Sequence, residues 1–153
     1  MIRFTILGQP CSKANSRQLV NFGKRIVPIK SKDALAYERA ALLQIPVSAR
    51  QGLDGPARIN ITIFYASERP DLDPSVILDC LQNRYVKDKK TGERVLVQKG
   101  VVQNDRQFRE MHLFHRIDRA NPRAEIEIEP LAPQQQTFHM EQLPEPETDE
   151  DPF

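Results

Sequence analysis

No apolar stretch in this chain approaches the roughly 20 residues that a membrane-spanning helix needs. The N-terminus, MIRFTILGQP, has neither the long apolar core nor the small-residue cleavage site of a secretory signal. Only two cysteines occur, Cys11 and Cys80, far apart and outside any CxxC or Cys/His pattern. Their placement argues against a zinc site or a disulfide framework and for two reduced thiols, so a cytoplasmic protein is expected. The histidines, His112, His115 and His139, show no ligand spacing with the acids, and His115 reads as a core-facing strand residue rather than a base. Basic residues are missing altogether after Arg123. All 22 Lys and Arg and 12 of the 21 acids lie at or before it, a formal +10, and the remaining 30 residues hold nine acids and no base.

What is present fits one soluble domain: 153 residues, 39% hydrophobic and 28% charged, enough for a modest core. A body this basic either carries a solvated cationic surface or meets a polyanion, whose counterion release drives association.

Alternation predicts a strand over 2–7, ended by GQP, then a polar, basic loop from Cys11. LVNFGKRIVPI predicts two short strands around Phe22–Gly23–Lys24, with Pro28 at an edge. Ser31 caps a helix from Lys32 that must stop before Pro46. ARINITIFYA is a strand with Ile59, Ile61, Ile63 and Tyr65 on one face. PSVILDCLQ makes a short helix with Val76, Ile77, Cys80 and Leu81 inward. A lysine-rich hairpin turns near Thr91–Gly92. REMHLFHRI (Met111, Leu113, His115 and Ile117 facing one way) and RAEIEIEPL (Ile126 and Ile128 inward) are the last strands. Strands outnumber helices and sequence neighbours look antiparallel, so the expected class is α+β, a mixed, largely antiparallel sheet with two helices. The domain is expected over 1–131. Residues 132–153 form a Gln/Pro-rich acidic tail, with too few large apolar residues for a core, expected to be disordered.

SERPDLDPSV, residues 67–76, places Asp71 and Asp73 two positions apart. Asp73 before Pro74 is a good helix start, aspartate at the cap and proline at the first helical position. That leaves Asp71 unaccounted for. On extended backbone residues 71 and 73 point the same way, and converging carboxylates raise each other's pKa unless a cation lies between them. Mg²⁺ suits such a pair, taking one or two carboxylates and keeping waters and substrate phosphate. Asp105, in GVVQNDRQF, is either a turn former or a third acid. If its strand neighbours the central one, it is expected at the same sheet end. Three acids on a basic body suit metal-assisted phosphodiester hydrolysis.

The order of pieces resembles the RusA family of Holliday junction resolvases, found in phages and prophages. The shared pieces are the N-terminal strand with GQPCSKANSR, the central strand ending in RPDLD, LDCL on a helix, and GVVQNDRQF before a strand pair, together covering about residues 2–130. The resemblance implies a Mg²⁺-dependent homodimer that cuts branched DNA by paired nicks, with Asp71, Asp73 and Asp105 as its catalytic and metal-binding acids. A two-fold dimer matches the symmetry of a four-way junction. For a phage-encoded protein it also implies the cytoplasm of a bacterial host. Two departures stand out. The family's D-L-D-N here ends in Pro74, and Ile77 stands where a lysine is spaced one helical turn on. Aligned instead on LDCL, with Asp79 as the family's helix aspartate, the chain has a gap of about two residues where the lysine belongs. The cation is missing by either alignment, and Lys87, Lys89, Lys90 and Lys99 are the candidates to take its place.

Lys13, Asn15 and Arg17 of the polar loop, with Arg69 and Arg106 beside the acids, are either solvated or contact DNA phosphates. The last residues, ETDEDPF, resemble the acidic tip of bacterial single-stranded-DNA-binding proteins, which implies partner binding through Pro152 and Phe153 to replication and repair proteins. The other reading of the tail is electrostatic self-masking of the basic body. Two rivals to the nuclease remain: a non-catalytic DNA-binding protein on the same fold, and an adaptor working through its tail.

Overall fold

The computed structural model describes residues 1–12 and 15–132. Eight strands and two helices follow in order: β1 (Ile2–Leu7), β2 (Arg17–Phe22), β3 (Arg25–Lys30), α1 (Lys32–Gln44), β4 (Ala57–Tyr65), α2 (Ser75–Leu81), β5 (Arg84–Lys87), β6 (Arg94–Gln98), β7 (Phe108–Ile117) and β8 (Arg123–Pro130). The class is α+β with a mixed sheet. Among the described residues no helix is long and apolar enough to cross a membrane.

β4 is the centre of the main sheet because its alternation is complete. Ala57, Ile59, Ile61, Ile63 and Tyr65 are all buried on one face. Each fully buried Ile contributes about 2 kcal/mol of transfer free energy. Phe4 and Ile6 of β1 and Ala124, Ile126 and Ile128 of β8 extend this face. α1 and α2 cover it through Ala34, Tyr37 and Ala41, and through Val76, Ile77, Cys80 and Leu81. The opposite face stays open and carries Arg58, Asn60, Thr62, Glu110, Glu125 and Glu127.

The strand order is β1-β8-β4-β7. The last two strands depart from the expected antiparallel pairing of sequence neighbours, which β2–β3 and β5–β6 follow. β7 and β8 do not form a hairpin; β4 lies between them, antiparallel to β8 and parallel to β7. The parallel pairing needs a long crossover, supplied by the chain from Ala66 to Gln107. β7 presents Met111, Leu113, His115 and Ile117 to the core side, opposite Ile59, Ile61, Ile63 and Tyr65. As an edge strand, however, it leaves Met111 and Ile117 exposed.

β2–β3 and β5–β6 are separate two-stranded hairpins. Ser31 caps α1, its side chain accepting from the Ala34 amide, and Ile45 ends it before Pro46. Gly100 is required where the chain passes α2: a Cβ there would lie 2.4 Å from the Gln82 carbonyl carbon and 2.5 Å from the Leu81 oxygen.

Candidate functional site

Tyr65 ends β4 pointing into the core, and its hydroxyl organises the segment that follows. It donates to the Asp71 carbonyl at 3.0 Å and accepts from the Asp73 amide at 3.2 Å. His115 packs against the Tyr65 ring, centroids 4.7 Å apart, with its Nε2 3.0 Å from the Pro70 oxygen. His115 is thus a structural strand residue, as its pattern indicates.

The helix after the acids begins one residue later than the sequence predicts. Pro74 occupies the cap position, and Asp73 stands before it. The Asp73 carboxylate still serves the helix start, its Oδ1 accepting from the Ser75 amide at 2.9 Å and the Ser75 hydroxyl at 2.6 Å. Asp71 is exposed. It lines a cleft of about 890 Å³ together with Arg69, Asn15, Gln9 and Tyr37.

Asp105 reaches this region by another route than expected. Because β4 and β7 run parallel, with Ala57 opposite Phe108, Asp105 enters at the end of β4 away from Tyr65. The sequence-based expectation of a common strand end for Asp71, Asp73 and Asp105 is therefore corrected. α2 closes part of the gap. It runs back from the acidic segment toward the opposite end, where the Val101 and Val102 amides donate to the Leu81 oxygen. Asp105 then sits in a short 3₁₀ turn, Asp105–Gln107, capped by Asn104, and its amide donates to Gln82 Oε1 at 3.3 Å. The seven residues of α2 span ~10 Å at about 1.5 Å each. The acids are strung along this helix: Asp71 and Asp73 before it, Asp79 on it and Asp105 beyond it.

Asp79 stands between the two ends of this row. It reaches solvent, yet protein crowds it on the α1 side, and this partial burial is the main push that raises its carboxyl pKa. Lys30 pulls it down, the charges of Asp105 and Glu38 push it up further, and Arg17 pulls it down again; the balance is a raised value. A small cavity of about 80 Å³ lies here, lined by Ser16, Arg17, Lys30, Glu38, Ser75 and Asp79.

Glu38 is the one buried charged residue among those described. Lys30 Nζ donates to its Oε2 at 2.7 Å, and Arg84 forms an ion pair with Oε1. Burial alone would raise the Glu38 carboxyl, but hydrogen bonds and charge from Lys30 and Arg84 outweigh it and hold the group below the ordinary carboxylate range. The sequence carried a signal for Glu38: it falls with Ala34, Tyr37 and Ala41 on the buried stripe of α1.

Arg17 opens β2 directly opposite Lys30. Arg106 is exposed, its Nε bonded to Asn104 Oδ1 at 3.2 Å. Lys13, Pro152, Phe153 and the expected tail beyond Ala132 lie outside the described residues. Cys11 and Cys80 are free, and burial raises both thiols, Cys80 to about 12, with nearby charges adding a smaller effect.

Mg²⁺ asks for hard oxygen donors, one or two of them carboxylates, and keeps its waters. The row on α2 offers donors of this kind, spread along a helix of ~10 Å. A dedicated cage is another matter: among the described residues no group of three or more His, Cys, Asp or Glu is arranged to hold an ion. Comparison with protein-family models and with curated proteins finds no match to this chain.

Proposed function

We propose that the chain is a Mg²⁺-dependent, structure-selective endodeoxyribonuclease acting on four-way junctions or related branched DNA. The arrangement that carries this reading is α2 itself, with Asp71 and Asp73 before it, Asp79 on it and Asp105 beyond it, within a frame of Arg17, Lys30 and Arg84. Asp71, Asp73 and Asp105 are the proposed catalytic acids, with Asp79 joining them. When bound, Mg²⁺ would lower the pKa of a water and neutralise phosphate charge. The protein's own part is to hold the oxygen donors, orient the strand and concentrate DNA on the basic body. Asn15, Arg17, Arg69 and Arg106 all flank the acidic row and are the proposed DNA contacts, with Lys13.

The hairpins support a homodimer. β2–β3 exposes Leu19, Phe22 and Ile26, and β5–β6 exposes Val86, Val95 and Val97, each at least half accessible. An isolated two-stranded hairpin is marginal in water, and exposed apolar strands of this kind fit an interface with a second copy. The acidic tip ending in Pro152–Phe153 is proposed to recruit replication or repair proteins.

Incubating the protein with a labelled synthetic junction, with Mg²⁺ and with chelator, tests the activity; paired Mg²⁺-dependent nicks are expected. A second reading, non-catalytic binding of branched DNA, is favoured by Ile77 at the resemblance's lysine position and by the lack of a three-acid cage. It predicts junction binding without nicking, unchanged by Asp71→Asn.

A further inference from the structure

We infer that Lys30 is the cation that contacts the substrate phosphate at this site and that Glu38 is the residue positioning it, an inference that rests on the nuclease reading above. Of the four candidate lysines of the β5–β6 region, Lys87 lines a cleft with Asn104 beside Asp105, but none lines the cavity that holds Asp79. Lys87, Lys89 and Lys90 belong to the exposed hairpin, and the Lys99 side chain packs against Gly52.

Lys30 also ends an exposed hairpin strand, and what sets it apart is its place beside Asp79. It is the last residue of β3 and lines the same cavity as Asp79 and Ser75. Its charge acts on Asp79, so it already lies within the field of the acidic row. Its bond to Glu38, whose side chain is only 7% exposed, fixes the ammonium before any ligand arrives, which lowers the ordering entropy of a phosphate contact. An ammonium has three donors, and Glu38 Oε2 takes one. The side chain is 43% exposed, and two donors remain beyond the one that Glu38 takes.

Arg17 adds a second cation. It stands directly across from Lys30 on β2, a like-charge pair that is unfavourable by itself. Among the described residues Arg17 has no carboxylate within ion-pair distance. A phosphate in the cavity mouth would satisfy both cations, with the Ser75 hydroxyl at the wall.

The test uses the full chain and a labelled four-way junction, with affinity measured in chelator and single-turnover cleavage in Mg²⁺. Lys30→Met is expected to slow single-turnover cleavage about 100-fold, the usual consequence of removing one transition-state charge contact. Lys30→Arg is expected to restore part of the rate. Glu38→Gln is expected to lower the rate about 10-fold with junction affinity nearly unchanged, a split that a general loss of structure would not give. The double variant Lys30→Met/Glu38→Gln leaves no buried unpaired charge and guards against misfolding. Arg119→Met, on the turn between β7 and β8 and outside the lining of the Lys30 cavity, controls for net charge. If the parent nicks the junction and Lys30→Met nicks within threefold of it, this inference is overturned and the nuclease reading stands. If the parent does not nick, affinity decides. A salt slope reduced by about 1 in Lys30→Met but not in Arg119→Met supports the phosphate contact, and equal slopes overturn it.

Discussion

Replacing Glu38 with glutamine removes a charge from the link that fastens β3 and β5 to α1, and its effect on stability can be worked from the contacts. The wild-type carboxylate is bonded to Lys30 at 2.7 Å and paired with Arg84, while its own side chain is 7% exposed. Breaking a fully buried pair costs ~3–5 kcal/mol, chiefly through the partner left unpaired. Here Lys30 is 43% and Arg84 33% exposed, so both cations regain water once released and the cost is discounted accordingly. About 1–2 kcal/mol remains after that screening, or a fall in Tm of ~4–8 °C for a body of this size.

The pH dependence fixes the cause. Glu38 titrates below its ordinary value, so its stabilisation is complete above the unfolded-state pKa near ~4.3 and is lost as pH falls through the lower, folded value. Calorimetric melting of parent and variant from pH 7 downward should show a gap that holds to about pH 5 and narrows only below ~4. No gap at neutral pH, or one that widens on acidification, would refute the reasoning.

Asp79 has the opposite sign. Its folded pKa is raised, so the charged form costs stability at neutral pH, and Asp79→Asn should raise Tm by a degree or two while abolishing junction cleavage; a lower Tm would contradict this. Tyr65→Phe removes the hydroxyl shared by Asp71 and Asp73 and should cost ~1–2 kcal/mol by urea denaturation, with Mg²⁺-dependent nicking reduced further than junction binding. Gly100→Ala forces a methyl against backbone that cannot retreat, and a loss of at least ~2–3 kcal/mol, read as a lower urea midpoint, is expected. Leu19→Asp with Phe22→Asp should convert a dimer to monomer by light scattering with the circular-dichroism spectrum unchanged, since both side chains are exposed in the single chain.

Individual elements were legible in the sequence; their partners were not. The alternation of Ile59, Ile61, Ile63 and Tyr65 gave β4 its buried face, and Val76, Ile77, Cys80 and Leu81 gave α2 its own. Periodicity reports which face is apolar and is silent on which strand lies alongside. Hence the insertion of β4 between β8 and β7, and the parallel register that sends Asp105 to the far end, were missed. The same limit hid the ion network. Lys30, Glu38 and Arg84 come from three elements, and nothing in their spacing links them. Asp73 was read correctly as a helix-start residue but one position off, because Pro74 itself takes the cap.

A labelled four-way junction incubated with the purified chain, with Mg²⁺ or with chelator, bears most directly on the proposed activity, and Asp105→Asn run alongside ties the result to the acidic row. Paired nicks in two strands of like polarity, dependent on Mg²⁺, absent with the variant and absent on linear duplex, are the predicted outcome. Junction that stays uncut at a large excess of folded protein, or nicking that survives both chelation and the substitution, would contradict it.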